Sequence, residues 1–209
     1  MTRFEELTLK GFLDALASDS PTPGGGTAAA VAGAMGAALA EMVAGLTLSK
    51  EKYADSHEAV RPIAEAAQLA RAELVRLARE DSEAYDAVVA ARRLPKDTEA
   101  QKAERAQKIA AANKHAAEVP MRTAAASARL LAALPELAEK GNPNAVSDAG
   151  AAALLLDACL EAALLNVGIN LSGIEDAAFV AEMQRETAGL QGQSQRLRDQ
   201  VLALVRKRF

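Results

Sequence analysis

The stretch that decides the fold reads Pro21-Thr-Pro-Gly-Gly-Gly-Thr27 and runs on as Ala-Ala-Ala-Val-Ala-Gly-Ala-Met-Gly-Ala-Ala-Leu-Ala-Glu-Met-Val-Ala-Gly-Leu-Thr-Leu48. Its first part interrupts the chain, because proline fixes φ and glycine is conformationally loose. Its second part holds one ionisable residue, Glu41, and shows no alternation of branched and polar residues. That pattern predicts a helix apolar on every face, hence one surrounded by other elements. The length would suffice to span a bilayer. Alanine and glycine give little drive for insertion, however, and Glu41 is costly there, so a buried helix is the expectation. Small residues recur every four positions at Gly25, Ala29, Gly33 and Ala37, with a second row at Ala32, Gly36 and Ala40. Such rows let two helix axes approach closely, in the core or across a dimer axis.

Outward from this segment, helical periodicity continues and strand signals are nearly absent. An amphipathic helix is expected over residues 3–17, then the breaker run 18–26, then the apolar helix. A charged link at 49–55 leads to a long helix over 58–93, ended by Leu94-Pro95-Lys96. The next helix starts near Thr98, kinks at Pro120 and continues to Leu134. Lys140-Gly-Asn-Pro-Asn144 opens a second very apolar helix from Ala145 to about Leu171, and a last one fills 176 to the C-terminus, loosened at Gly189 and Gly192. The expected architecture is all-α: one domain over 1–209, a bundle of long antiparallel helices that forms homodimers or dimer-based oligomers. Half of the chain is apolar but only 3% is aromatic. A core of Ala, Leu and Val buries little area per helix, which favours further burial between subunits.

The formal net charge of −4 gives no case for nucleic acid, and Arg206-Lys207-Arg208 suits a helix C-terminus. The single cysteine, Cys159, excludes an intrachain disulfide framework and a cysteine-based zinc site. No Glu-x-x-His pair marks a bundle metal site, and Asp157 with Glu161 carries no ligand signature. His57 and His115 are expected to be solvated. The charged first residues do not resemble a signal peptide, so a cytoplasmic location is expected, with no membrane partner.

Four groups of residues are candidates for chemistry. Gly24, Gly25 and Gly26, with Pro23 before them, open the apolar helix; unpaired amides there suit a carboxylate or phosphate, or simply make a tight turn. Asp81 falls on the stripe Val60, Ile63, Ala67, Ala70, Leu74, Leu77, Ala84 and Val88. A carboxylate on a buried seam requires a partner or a task, unless the seam opens to solvent there. Tyr85 lies one turn further along the same side. In Gly141-Asn-Pro-Asn-Ala-Val-Ser-Asp148, Asn144 or Ser147 suits a helix cap and Asp148 its first turn. Asp148, Asn166 and Asn170 project onto one face, yet Asp148 and Asn166 stand about 27 Å apart along a helix. They can serve opposite ends of a long ligand, or sites completed by a second subunit. Lys50 and Lys52 follow the apolar helix and serve either its dipole or an anion.

Taken in order, Pro21–Thr27, Leu46–Tyr53, Asp81 with Tyr85, Glu118-Val-Pro120, Gly141–Asp148 and Asn166-Val-Gly-Ile-Asn170 resemble the cyclodeaminase family. That family comprises the C-terminal domain of formiminotransferase-cyclodeaminase and the stand-alone methenyltetrahydrofolate cyclohydrolases. The resemblance implies an all-helical, dimer-based enzyme with a tetrahydrofolate derivative as substrate and no metal or redox cofactor. It implies either ring closure of 5-formiminotetrahydrofolate with loss of ammonia, or hydration and opening of 5,10-methenyltetrahydrofolate. No transferase portion accompanies the resemblance, which turns the expectation toward the cyclohydrolase. On this basis Asp81 and Asp148, then Lys50 and Tyr85, are the expected catalytic residues. Lys50, Lys52 and the Gly24–Gly26 amides would take the glutamate carboxylates. Asn142, Asn144, Asn166 and Asn170 would bind the pterin, with Pro23 and Ser147 completing the substrate wall. A non-catalytic oligomerisation or folate-binding module is the alternative of another class.

Overall fold

A computed structural model of the chain describes residues 6–208. Seven α-helices follow one another among the described residues: α1 (Leu9–Leu16), α2 (Gly25–Leu48), α3 (Ala54–Arg92), α4 (Glu99–Leu131), α5 (Leu134–Lys140), α6 (Val146–Leu171) and α7 (Ala177–Arg206). No strand occurs among these residues. The all-helical expectation is met.

Each long helix runs antiparallel to the next, and the side-chain pairings give the register. Between α2 and α3, Glu41 meets Arg71 at 2.7 Å and Thr27 meets Asp81 at 2.9 Å. Between α3 and α4, Arg129 reaches Glu73 and Arg122 reaches Glu80. Between α4 and α6, Ser127 donates to Cys159 and the Asn170 amide to the Ala116 carbonyl. Helix α6 lies back against α2, so these four helices close a ring around the core. Helix α7 packs outside on α6, where Asp157 is buried and held by Ser194 at 2.6 Å and Arg198 at 2.8 Å. That ion pair, with a hydroxyl beside it, is how a carboxylate survives burial there.

The small-residue rows face α6. A Cβ placed on Gly33 would lie 2.6 Å from the Cys159 sulfur, and one on Gly36 would lie 3.0 Å from the Ala152 carbonyl oxygen. These contacts require glycine and bring the two most apolar helices together. The apolar positions of the seam read on α3 are buried from Val60 through Ala84, while Asp81 and Val88 are half-buried. Glu41 is accommodated by its bond to Arg71 rather than exposed among apolar groups.

Several boundaries differ from expectation. Thr8 caps α1 through the Gly11 amide, so that helix begins later than residue 3, and residues 1–5 lie outside the described set. Helix α3 starts at Ala54 and passes through Pro62. Helix α4 passes through Pro120 and stops at Leu131, after which α5 forms with Pro135 in its first turn, where the missing N–H costs nothing. Helix α7 is continuous through Gly189 and Gly192. His57 is half-buried: its Nε2 lies 3.2 Å from the Thr47 carbonyl and 3.3 Å from that of Lys50, at the end of α2.

Helices α2 and α6 are each long and apolar enough to cross a membrane by length and composition. In the bundle each turns one side to the core and the other outward. Met35, Met42 and Leu46 are exposed on α2, and Leu154, Leu165 and Ile169 on α6.

Candidate active site

The glycine-rich start of α2 faces α3 where Asp81 lies. Gly24 caps the helix in an extended conformation without a side-chain bond, so the first-turn amides need an outside acceptor. The chain's own carboxylate supplies one. Asp81 accepts from the Thr27 hydroxyl at 2.9 Å and from the Thr27 backbone amide. Ser82 lies 3.0 Å from the same hydroxyl. Because the single Thr27 hydroxyl proton goes to Asp81, Ser82 donates to Thr27. Gly26 is what admits the carboxylate: a Cβ there would overlap both Asp81 oxygens. Asp81 thus meets one amide of the first turn, that of Thr27, and lies against the Gly26 backbone.

Burial pushes the Asp81 carboxyl above the ordinary carboxylate range, and the two bonds from Thr27 offset this only in part. A carboxyl so placed ionises closer to neutrality than a surface aspartate and suits proton transfer. Asp81 sits at one end of a cleft of about 310 Å³. Gly24, Gly25 and Gly26 form its floor, Tyr85 and Val88 of α3 one wall, and Asn166, Ile169 and Asn170 of α6 the other. The seam opens into a cleft at the point where it carries Asp81.

Three asparagines are fixed by backbone. The Asn166 amide donates to the Ala162 carbonyl, that of Asn170 to Ala116, and that of Asn113 to Gly173. Each bond uses the NH₂ group and leaves the side-chain carbonyl as an acceptor for a polar ligand. Asn113 and Arg92 line the cleft as well, and sequence reasoning named neither. Asn113 sits on an otherwise unremarkable stretch of α4, and Arg92 reads as an ordinary basic residue at a helix C-terminus. Pro23 is buried beside the cleft, following a cis peptide bond.

The other expected residues lie at the opposite end of α2 and α6. Asn142 is buried there: its side-chain oxygen accepts from Tyr53 at 2.9 Å and from the Asn144 amide at 3.1 Å, and its own amide donates to Thr47. Asn142, and not Asn144 or Ser147, is the residue that caps the turn before α6. Asn144 and Ser147 are exposed and Asp148 is half-buried. Lys50 is half-buried beyond the end of α2, and the Lys52 ammonium lies 4.7 Å from the centre of the Tyr53 ring. About 37 Å of helix separates Gly25 from Lys50. Within one chain, then, Asp81, Tyr85, Asn166 and Asn170 come together, while Asp148, Lys50, Lys52, Asn142, Asn144 and Ser147 form a second, distant group.

Comparison with known proteins agrees with this architecture. The family described as Formiminotransferase-cyclodeaminase matches residues 8–189. The chain is 42% identical to methenyltetrahydrofolate cyclohydrolase of Methylorubrum extorquens, over 96% of this chain and 97% of that protein. It is 36% identical to formimidoyltransferase-cyclodeaminase of Sus scrofa over 87% of this chain, which spans only 34% of that longer protein. A crystal structure of formiminotetrahydrofolate cyclodeaminase from Thermotoga maritima superposes with a TM-score of 0.87 at 37% identity, covering 97% of this chain and 98% of that one. A match this long in sequence and this close in fold leaves one assignment: the chain belongs to the cyclodeaminase-domain family of formiminotransferase-cyclodeaminase.

Proposed function

We propose that this folate one-carbon enzyme hydrolyses 5,10-methenyltetrahydrofolate to 10-formyltetrahydrofolate in the Asp81 cleft. The observation that carries the reading is the half-buried carboxylate of Asp81, held by Thr27 at one end of a cleft whose walls carry amide acceptors. The methenyl bridge is a delocalised cation, and a preorganised carboxylate in a site of low dielectric attracts it. Water adds to the carbon between N5 and N10, and one water proton passes to Asp81. The bond from carbon to N5 then breaks as Asp81 returns that proton to N5. The remaining hydroxyl proton leaves to solvent as the formyl carbonyl forms on N10. A carboxyl with a raised pKa is suited to both transfers. Tyr85 offers a ring to the aromatic part of the substrate, and Asn166 and Asn170 offer acceptors to the pterin.

The distant group enters through a second copy. Helices α2 and α6 touch at Gly36 and Leu155, close to the middle of each. A two-fold axis at that crossing would lay the exposed faces of Met35, Met42 and Leu154 against their equivalents and exchange the ends of the helices. Asp148 and Lys50 of one copy would then approach the Asp81 cleft of the other. An isologous contact of this kind covers the outward apolar sides of both helices.

Likeness to a cyclohydrolase over nearly the full length of both proteins supports the hydrolytic reading. The fold match to a formiminotetrahydrofolate cyclodeaminase supports a second one, loss of ammonia from the 5-formimino substrate with closure of the same bridge. Both reactions pass through a tetrahedral carbon that the same carboxylate would serve. The test is loss of the near-ultraviolet absorbance of 5,10-methenyltetrahydrofolate at mildly acidic pH, where spontaneous opening is slow. Acceleration that falls about 10²-fold or more in Asp81→Asn is expected. No acceleration, with turnover of the formimino substrate instead, would select the second reading.

A further inference from the structure

Asp81, Tyr85, Val88 and Arg92 follow one another at spacings of four, three and four along α3, so one face of the helix lines the whole cleft. From Asp81 to Arg92 the helix rises about 16 Å. Polarity changes in order along that line. Asp81 gives a carboxylate, next come the Tyr85 ring and Val88, with Ile169 of α6 in the same cleft, and Arg92 gives a guanidinium. Among the described residues no carboxylate pairs with Arg92. Arg105 stands beside it, its Nε and Nη2 both donating to the Arg92 carbonyl at 3.2 and 3.0 Å. Arg105 also lines an adjoining hollow that shares Asn113 and Gly173 with the cleft. Residues 92–108 carry six lysines and arginines against three carboxylates, in a chain whose net charge is −4. An exposed guanidinium at the end of the cleft with no carboxylate on it suits an anion, and its forked donors suit a carboxylate.

We infer that Arg92, with Arg105 beside it, is the carboxylate-binding end of the cleft and takes the glutamyl group of a folate whose one-carbon bridge lies at Asp81. The inference rests on the folate reading above. A folate presents the same sequence of chemistries in the same order: a cationic bridge, an aromatic ring, then carboxylates. Asp81 also stands beside the glycine-rich start of α2, bonded to the Thr27 amide, where a second carboxylate would meet its charge. Arg92 is exposed at the last turn of α3, so its replacement leaves the fold intact.

The experiment compares wild type, Arg92→Gln and Arg92→Lys on two substrates: 5,10-methenyltetrahydrofolate and the corresponding methenyltetrahydropteroate, which lacks glutamate. Arg92→Gln is expected to raise KM for the glutamyl substrate about tenfold, the scale of one charged hydrogen bond, with kcat within about twofold. Arg92→Lys should fall between, because charge is kept and the fork is lost. On the pteroate the three proteins should have equal KM. An unchanged KM on the glutamyl substrate, or an equal rise on both substrates, would overturn the assignment. Wild type inactive on both would remove the hydrolytic reading, and the same KM comparison on 5-formiminotetrahydrofolate and its pteroate counterpart would then decide the inference.

Discussion

Burial holds the Asp81 carboxyl above its ordinary range, and this has opposite consequences for stability and for activity. A group whose pKa is higher folded than unfolded binds its proton more tightly in the native state. Its contribution to stability is complete below the unfolded value and is lost as pH rises through the folded one. At a pH above that value, ionised Asp81 is less favoured in the native protein than in the unfolded chain. Asp81→Asn, which can still accept from Thr27, is expected to raise Tm at pH 7. The advantage should vanish once pH falls below about 3.9, the unfolded aspartate value. Thermal melts of both proteins across that range check the sign, and they should show the gain in the same variant whose turnover is lost. Of the residues involved, Asp81 was legible because it interrupts an apolar period, and Tyr85 because it follows one turn later. The Thr27 bond to Asp81 was not, since 54 positions separate them and nothing local marks the pair. Arg92 was illegible for a different reason: a basic residue at the end of a helix already has an adequate local explanation.

At the scale of the element, the contact of α2 with α6 depends on glycines at positions where an ordinary helix would prefer alanine. Replacing an interior helical glycine by alanine gains about 1 kcal/mol of helix propensity. Overfilling a packed contact costs about 1–3 kcal/mol, so Gly33→Ala and Gly36→Ala are both expected to destabilise. They should differ under compensation. The neighbour of Gly33 is the Cys159 sulfur, which Cys159→Ala removes, whereas the neighbour of Gly36 includes the Ala152 backbone oxygen, which no substitution trims. Denaturant titration should show partial recovery for the first pair and none for Gly36→Ala with Leu156→Ala. The rows at four-residue spacing predicted this close approach because small residues at that period can mean little else on an apolar helix. Helix ends were less legible. Pro62 and Pro120 both lie inside helices that continue around them, and α5 was missed because Leu134–Lys140 is too short to establish a period. The gap opened by a proline in a long, well-packed helix is outweighed by the contacts on either side.

For the whole molecule, the outward apolar sides of α2 and α6 set the expected assembly. Leu154 is 49% exposed and Met35 54% exposed, both near the crossing of the two helices. Leu154→Arg is expected to convert a dimer to a monomer by light scattering at micromolar concentration, with a cooperative melt retained and kcat/KM lowered at least about tenfold. A monomer of full activity would show instead that Asp148 and Lys50 are not needed at the neighbouring cleft. The bundle as a whole was readable from sequence because five long amphipathic or apolar helices with short links leave few arrangements. The split of the polar residues between two ends was readable only as a distance along α6, and a single chain does not bring them together. The closeness of α2 and α6 has one more consequence. Wedged behind Gly33, the Cys159 thiol is fully enclosed and its pKa is pushed up to about 11 by burial, so at pH 8 only about one thiol in a thousand is ionised and none meets solvent. An alkylating reagent can reach it only when those two helices part. The chain therefore carries its own clock: the rate at which its one thiol is modified reads how often the centre of the bundle opens.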